Sequence, residues 1–458
     1  MESTRKSESS RFGRRFTPAA LAQVLTETLG LTPATPVYVA FSGGLDSHVL
    51  LHAAASLRRN APWRVAALHV DHGLQATSAQ WASHCAAVAT ALDVPYAAER
   101  IVVDDVAQLG LEDAARRARY RALARMLPAG AVLLTAHQQD DQAETLLLQL
   151  VRGAGPAGLA AMPAVTRFGR GRLARPLLGF ARRELADYAA AQGLDFVEDA
   201  SNEDERLARN YLRRRVWPLI AARWPAASER IALAARHQAD VATLLDEIGR
   251  ADLAVAADAE GSIDVSRLRE FSPERRANLL RCWIRSHGVS APAERVLRQI
   301  LACVERRPAT QQARVQWGAA EVRRYRDRLS LHTVGSRAPV DWEAPWDPVV
   351  ALEIPGAGWR LRARATTGAG LARARIEGVE LRVRMRRGGE RLRVRGHSHK
   401  VKKLLQEAGI PPWERAQLPL IYVGDVLAAV GDRWVSDEFA ACADEPGVML
   451  VLERADAR

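Results

Sequence analysis

The sequence predicts a doubly wound, parallel-sheet α/β domain, then a mainly helical middle domain and a small α+β C-terminal domain. Three observations carry that expectation: short apolar runs alternate with longer amphipathic ones from residue 37, a nearly unbroken helical pattern fills 228–307, and strand-like runs return beyond 350. At 458 residues the chain is about three times a typical domain, so several hydrophobic cores are expected.

Taken in order, residues 1–17 are Ser/Arg-rich with no apolar stretch of the kind a secretory signal needs, and they are expected to form a disordered basic tail. Val37 to Phe41 reads as a buried strand, SGGLDS as a turn and His48 to Arg59 as a helix. Val65–Val70 and Ala98–Val103 are the next strands, with helices over Ser78–Leu92 and Leu111–Leu127. A fourth strand over Ala131–Thr135 leads into a helix that runs to about Val151. Strands that alternate with helices in this way build a parallel sheet covered on both faces. A Gly/Pro-rich loop follows Arg152, and helices are expected over 182–192 and 203–224. The first domain is therefore drawn over 18–224.

The middle domain is drawn over 225–338, with helix breaks at Gly261, Pro273 and Pro292 and a small hairpin over Ala313–Thr333. Residues 339–349 read as a linker. The C-terminal domain, 350–458, carries strand-like runs around one helix over Lys400–Ala408.

A 48% hydrophobic and 26% charged composition, with no apolar run of about 18 residues, excludes a membrane span and a wholly disordered chain. The net charge of +12 suits a polyanionic partner such as nucleic acid. Of 65 basic residues only four are Lys, and three of those are Lys400, Lys402 and Lys403. The four cysteines form no C-x-x-C pair, which fits a reducing cytoplasm and offers neither a zinc ribbon nor a disulfide scaffold.

Ser42-Gly43-Gly44-Leu45-Asp46-Ser47 lies between a strand and a helix, at the sheet edge where such folds bind ligands. The glycines let the backbone approach an anion, and its N–H groups join the dipole of the following helix. No Lys follows, so this is not a Walker A loop; Asp46 instead offers a carboxylate to a magnesium ion bridging phosphates. A plain Ser/Gly capping turn is the alternative. His137, Asp141 and Glu144 recur at i, i+4, i+7 beside Asp140, which would put them on one helix face. They could hold magnesium and position or deprotonate an amine. An acidic first turn serving only the helix dipole is the competing explanation.

The hexamer resembles the PP-loop of N-type ATP pyrophosphatases. His69-Val-Asp71-His72-Gly-Leu, Thr135-Ala-His137-Gln138-Gln-Asp-Asp141 and Arg152-Gly153 narrow that resemblance to the tRNA(Ile)-lysidine synthetases, whose usual form of the second motif begins T-A-H-H, so Gln138 departs from it. Asp199-Ala-Ser-Asn, Arg209-Asn-Tyr-Leu-Arg213, the basic segment 395–403 and Ile410-Pro-Pro-Trp413-Glu-Arg415 extend it. The resemblance implies ATP-dependent ligation of free L-lysine to the wobble cytidine of tRNA(Ile) with a CAU anticodon. ATP would bind at 42–47, magnesium at Asp46 and Asp141, and catalysis would use Asp46, His137, Asp141 and Glu144. Arg116, Arg119, Arg209, Arg213, Lys400, Lys402 and Lys403 would contact RNA. The rivals are another PP-loop tRNA-modifying enzyme such as a thiolase, for which the scattered cysteines are ill suited, and a non-catalytic RNA-binding protein on an ATPase fold. Monomer and homodimer both remain open.

Overall fold

In a computed structural model, residues 15–59, 63–73, 78–104, 110–197, 203–305, 313–333, 339, 341–356 and 358–454 are described. Residues 1–14 of the tail expected over 1–17, and the Asp199-Ala-Ser-Asn segment, lie outside them; the end of that tail is corrected, because Phe16 is buried in the first core and Thr17 caps a helix. The chain forms two compact units, Met1–Leu245 and Asp246–Arg458.

The apolar runs of the first unit become strands of one six-stranded sheet, buried in its centre and more exposed at its two edges. β1 (Val37–Ala40), β2 (Val65–Asp71), β3 (Tyr96–Arg100) and β4 (Val132–Leu134) are joined by β5 (Val165–Phe168) and β6 (Gly171–Ala174) in the order β3-β2-β1-β4-β6-β5. All neighbours are parallel except the β5–β6 pair. Helices Leu45–Leu57 and Arg182–Gln192 share one core with Val37, Val39 and Ala174, while Leu111–Met126 covers the other face through Leu123 and Leu127 against Leu133 and Leu173. Burial on both faces is what strands without polar alternation require. A helix over Pro18–Gln23, capped by the Thr17 hydroxyl accepting from Ala20 N at 3.1 Å, adds Leu21 to the first core.

The β5–β6 hairpin fills 164–175, a stretch to which the sequence pattern assigns no element, and one expectation is corrected: the helix expected over 203–224 is split into Ala208–Tyr211, a wider π turn over Leu212–Val216 and Trp217–Arg223. Pro218 explains the split: it has no N–H to offer the carbonyl four residues back, so the ladder widens just before it.

In the second unit, Ile263–Asp264 (β7), Ala313–Trp317 (β8), Ala320–Tyr325 (β9) and Arg328–Thr333 (β10) form an antiparallel sheet in the order β7-β10-β9-β8. Helices Pro273–Ser286 and Glu294–Glu305 bury Trp283, Leu297 and Ile300 in a common core with Val322 and Leu329 of that sheet. Of the stretch read as a linker, Glu343–Pro345 is an edge strand (β11) and Trp346 is core. Strands β12 (Leu352–Ile354), β13 (Trp359–Thr367), β14 (Leu371–Ala372) and β21 (Pro446–Arg454) build one C-terminal sheet, and β11, β15 (Leu381–Arg384), β18 (Leu420–Val423), β19 (Val426–Val430) and β20 (Trp434–Val435) the other. A separate two-stranded hairpin pairs β16 (Arg391–Val394) with β17 (His397–Lys400) and leads into the helix Val401–Glu407.

The I-P-P-W-E-R segment has a packing role. Trp413 is buried edge-on against Tyr325 and His332, lies under the Arg323 guanidinium at 5.1 Å, and Arg415 donates to the Tyr325 hydroxyl at 2.8 Å. It thus ties the C-terminal strands to the sheet β7–β10.

Candidate active site

The loop after β1 is shaped from within. Gly43 takes φ +83°, which only glycine adopts freely, and a Cβ there would meet Cys85 Sγ at 3.0 Å. Burial pushes the Cys85 thiol up to about 12, so it stays a neutral packing group. Gly44 caps the helix Leu45–Leu57, which begins three residues earlier than the sequence pattern suggests and puts Leu45, Asp46 and Ser47 in its first turn. First-turn N–H groups have no intrahelical acceptor and face any anion at the loop. Ser47 braces that loop: its hydroxyl donates to Gly44 O at 2.9 Å, accepts from Ser42 N at 3.2 Å and lies 3.1 Å from Ser42 Oγ. Below it, Val197 N donates to Gly43 O at 3.0 Å, and His48 Nδ1 meets Asp195 O at 2.8 Å.

Asp46 is the anomaly of the site. Its Oδ1 is buried and has no hydrogen-bond partner, and burial, followed by the nearby Asp141 carboxylate, raises its pKa to about 6. A buried carboxylate oxygen with nothing to bind is costly unless a cation or proton completes it. Magnesium commonly takes one or two protein carboxylates and fills its remaining positions with phosphate and water, so this donor fits such an ion. Among the described residues no cluster of three or more His, Cys, Asp or Glu forms an all-protein metal cage, including around His69 and Asp71. His69 is instead buried with Nδ1 on Phe41 O at 2.9 Å.

Facing the loop is the helix Gln139–Val151. Its cap is Gln138, the residue that departs from T-A-H-H: Gln138 Oε1 accepts from Asp140 N at 2.5 Å while Gln138 N donates to Asp141 Oδ2 at 3.1 Å. His137 therefore precedes the helix and does not share a helical face with Asp141 and Glu144, because an i, i+4 spacing has no helical meaning across the cap. Its Nδ1 is 3.0 Å from Thr135 Oγ1, and burial together with Arg175, Arg116, Arg209 and Arg119 drives its pKa down to about 3. The ring is neutral at physiological pH.

Glu144 is 2% exposed and held from both sides. Arg213 donates from Nε to Oε1 at 2.7 Å and from Nη2 to Oε2 at 2.9 Å, and also reaches Asp141 Oδ1 at 3.1 Å. Arg209 Nε lies 3.5 Å from Glu144 Oε2 and its Nη2 donates to Thr145 Oγ1 at 2.7 Å. Both arginines, expected on RNA phosphates, hold the acidic wall in the structure. The π turn that carries Arg213 is what aims it there. Asp141, expected as a second metal ligand, has both oxygens engaged, by Gln138 N and by Arg213.

Arg116 and Arg119 stack over the Tyr120 ring at 5.1 and 6.0 Å, half-buried, while Arg117 and Arg121 on the same helix are exposed. Lys400, Lys402 and Lys403 are exposed at the end of β17 and the start of the next helix. Sequence reading missed Gln142, whose amide clamps both backbone groups of Met162 at 2.9 Å, and Arg175, whose Nη1 donates to Pro163 O at 2.7 Å. Together they pin the Gly/Pro-rich loop beside the site. The Q-D-D-Q run offered no local signal, because the partners lie 12 to 20 residues away.

Comparison with known proteins gives consistent matches. The PP-loop domain family model matches residues 18–220, the TilS substrate binding domain model residues 263–330, and the TilS substrate C-terminal domain model residues 381–452. A tRNA(Ile)-lysidine synthase from Methylococcus capsulatus is 41% identical over 429 residues, covering 92% of this chain and 97% of the relative. That from Xanthomonas axonopodis pv. citri is 43% identical over 91% of this chain and 94% of the relative, and that from Coxiella burnetii 37% identical over 94% and 96%.

Proposed function

Because the chain belongs to the tRNA(Ile)-lysidine synthase family, whose members carry a PP-loop ATPase domain, we propose that it ligates free L-lysine to the 2-position of the wobble cytidine of tRNA(Ile). In this reading ATP adenylates the C2 oxygen with loss of pyrophosphate, and the lysine ε-amine then attacks C2 and displaces AMP. The observation that carries it is the orphaned, buried Asp46 oxygen at the mouth of a glycine-lined anion nest.

The chain's own groups divide the work. N–H groups of 42–47 hold the departing pyrophosphate, where opposing charge that is already in place should be the largest catalytic contribution. Asp46, with Asp141 beside it, would hold magnesium, which when bound neutralises phosphate charge. Of the two candidate proton acceptors for lysine, Glu144 is the stronger base: burial raises its pKa, whereas burial and four guanidiniums hold His137 near 3. His137 then orients the substrate through its neutral ring. The expected pH–rate profile has no limb that belongs to His137, since any limb near 6 belongs to Asp46 and survives replacement of His137, and His137→Asn retains more activity than Glu144→Gln. A profile that loses a limb near 6.5 in His137→Asn would reverse the two roles. ATP, tRNA and free lysine meet in the cytoplasm, and the four cysteines, all free, suit that compartment.

Incubating the protein with labelled ATP, tRNA(Ile) transcript and lysine tests the reading. AMP release that needs both RNA and lysine, with lysidine in the digested product by mass spectrometry, is the expected result. AMP release without RNA, or unmodified cytidine after full ATP consumption, overturns it.

A further inference from the structure

The β16–β17 hairpin carries more charge than the three lysines of the RNA-binding reading. Arg391 pairs with Lys400, Leu392 with His399, Arg393 with Ser398 and Val394 with His397. Leu392 is buried in the C-terminal core, so the two-residue period of a strand turns Arg391, Arg393, Ser398 and Lys400 to the other face, and all four are exposed. Arg391 and Lys400 stand directly opposite each other, a like-charge pairing that weakens a ladder. Arg391 lays its guanidinium across the hairpin onto Ser398, with Nε to Oγ at 2.9 Å and Nη2 to O at 3.0 Å. Among the described residues Arg393, Lys400 and Lys402 make no side-chain hydrogen bond or ion pair within 4.0 Å. The neighbouring acids are engaged elsewhere: Glu407 pairs with Lys403 at 3.7 Å, and Glu390 pairs with Arg386 at 3.4 Å and accepts from Arg387 N and Gly388 N. A row of cations that repel each other, with only Asp437 near Arg393 as counter-charge, fits a phosphate backbone.

The hairpin tip needs outside support. Arg395 and Gly396 take φ +54° and +80°, the two left-handed positions of a tight hairpin turn, and Arg395 adopts its own against preference. Two strands alone are marginally stable in water. Asp437, just past β20, supplies the clip: Oδ1 accepts from Arg395 N at 2.8 Å, Oδ2 accepts from Gly396 N at 2.7 Å, and Asp437 N donates to Arg393 O at 2.9 Å.

We propose that Asp437 is a positioning residue for RNA binding, holding the hairpin rigid so that Arg391, Arg393 and Lys400 meet successive phosphates of the tRNA backbone. The inference rests on the reading that the C-terminal lysines bind tRNA. It has a sign that charge alone would not give. Asp437 is an exposed anion beside Arg393 and His397, so simple electrostatics predicts that removing it tightens RNA binding. Positioning predicts that removing it weakens binding.

The test is the affinity of the full-length protein for unmodified tRNA(Ile) transcript over a salt series, without ATP. Asp437→Ala should weaken binding roughly five- to tenfold, and Asp437→Asn, which keeps one acceptor, should fall between it and wild type. Arg393→Ala leaves the clip's carbonyl in place and should lower the log–log salt slope by about 0.7 to 0.9, the value for one lost phosphate contact. Its slope remains decisive even if Asp437→Ala folds poorly. Tighter or unchanged binding by Asp437→Ala, or an unchanged slope in Arg393→Ala, overturns the inference while a weakened Lys402→Ala/Lys403→Ala double variant leaves the tRNA reading standing. If that lysine variant binds as wild type does, the tRNA reading of this surface itself fails.

Discussion

Replacing Asp46 by Asn should stop turnover and, in the same protein, raise thermal stability at alkaline pH. The two effects share one cause. In the fold, burial raises the Asp46 pKa from 3.8 to about 6, so ionising it costs more there than in the unfolded chain. A raised carboxylate binds its proton more tightly when folded, so stability falls as pH rises from about 4 through about 6 and then levels off. Below 4 both states hold the proton and the penalty vanishes. Asn removes it at every pH while keeping shape, so Asp46→Asn should gain roughly 1–3 kcal/mol at pH 8 and nothing at pH 4, by the conversion of about 1.4 kcal/mol per pKa unit. Turnover should fall by about three orders of magnitude or more, the scale of losing a charge-stabilising group aimed at the transition state. Calorimetry at the two pH values and AMP release decide it. A variant no more stable at pH 8 than wild type, or one that still turns over, removes Asp46 from the role given to it.

That trade-off explains why the loop was readable in the sequence while much of the surrounding site was not. Ser42 to Ser47 is a local pattern: a buried strand, two glycines and a helix start are all written within about ten residues, and the backbone conformation at Gly43 follows from them. The acidic wall opposite was legible only as residue types. Its helix onset depended on Gln138 acting as the cap, and a spacing rule applied from His137 assumed a helix that had not yet begun. Arg213 reaches Glu144 across 69 positions, and no periodicity reports a partner at that distance. The β5–β6 hairpin was hidden differently. Its two four-residue strands alternate poorly because Arg167 and Arg172 stand opposite each other at the sheet edge, and β6 gains its place by lying parallel to β4, a long-range pairing. Local chemistry was therefore recoverable, and the charge pairing that tunes it was a property of the fold.

Arg213→Ala should be the most destabilising single change at the site, by about 3–5 kcal/mol, the cost of leaving a buried charge without its partner. Glu144 loses two charge-assisted hydrogen bonds and Asp141 one, and only Arg209, 3.5 Å away, remains to compensate. Burial already raises the Glu144 pKa against the opposing pull of Arg213. Without that pull it must rise further, so the damage should be greatest at neutral and alkaline pH and shrink as pH falls below the ordinary carboxylate range, where Glu144 is protonated folded or unfolded. A Glu144→Leu/Arg213→Met double variant replaces the pair with apolar groups of similar bulk and should recover most of the lost stability, because a matched buried pair contributes little over a well-packed apolar one. It should recover no turnover. Denaturant unfolding of Glu144→Leu, Arg213→Met and the double, at pH 8 and pH 4 and with Arg213→Ala beside them, closes the cycle. Additive losses, or an Arg213→Ala penalty near the roughly 0.5 kcal/mol of a surface substitution, would mean that this ion pair is not what holds the acidic wall in place. Recovery of stability without activity would instead separate the two roles of Arg213, one that lets Glu144 stay buried and one that keeps its negative charge facing the nucleotide loop.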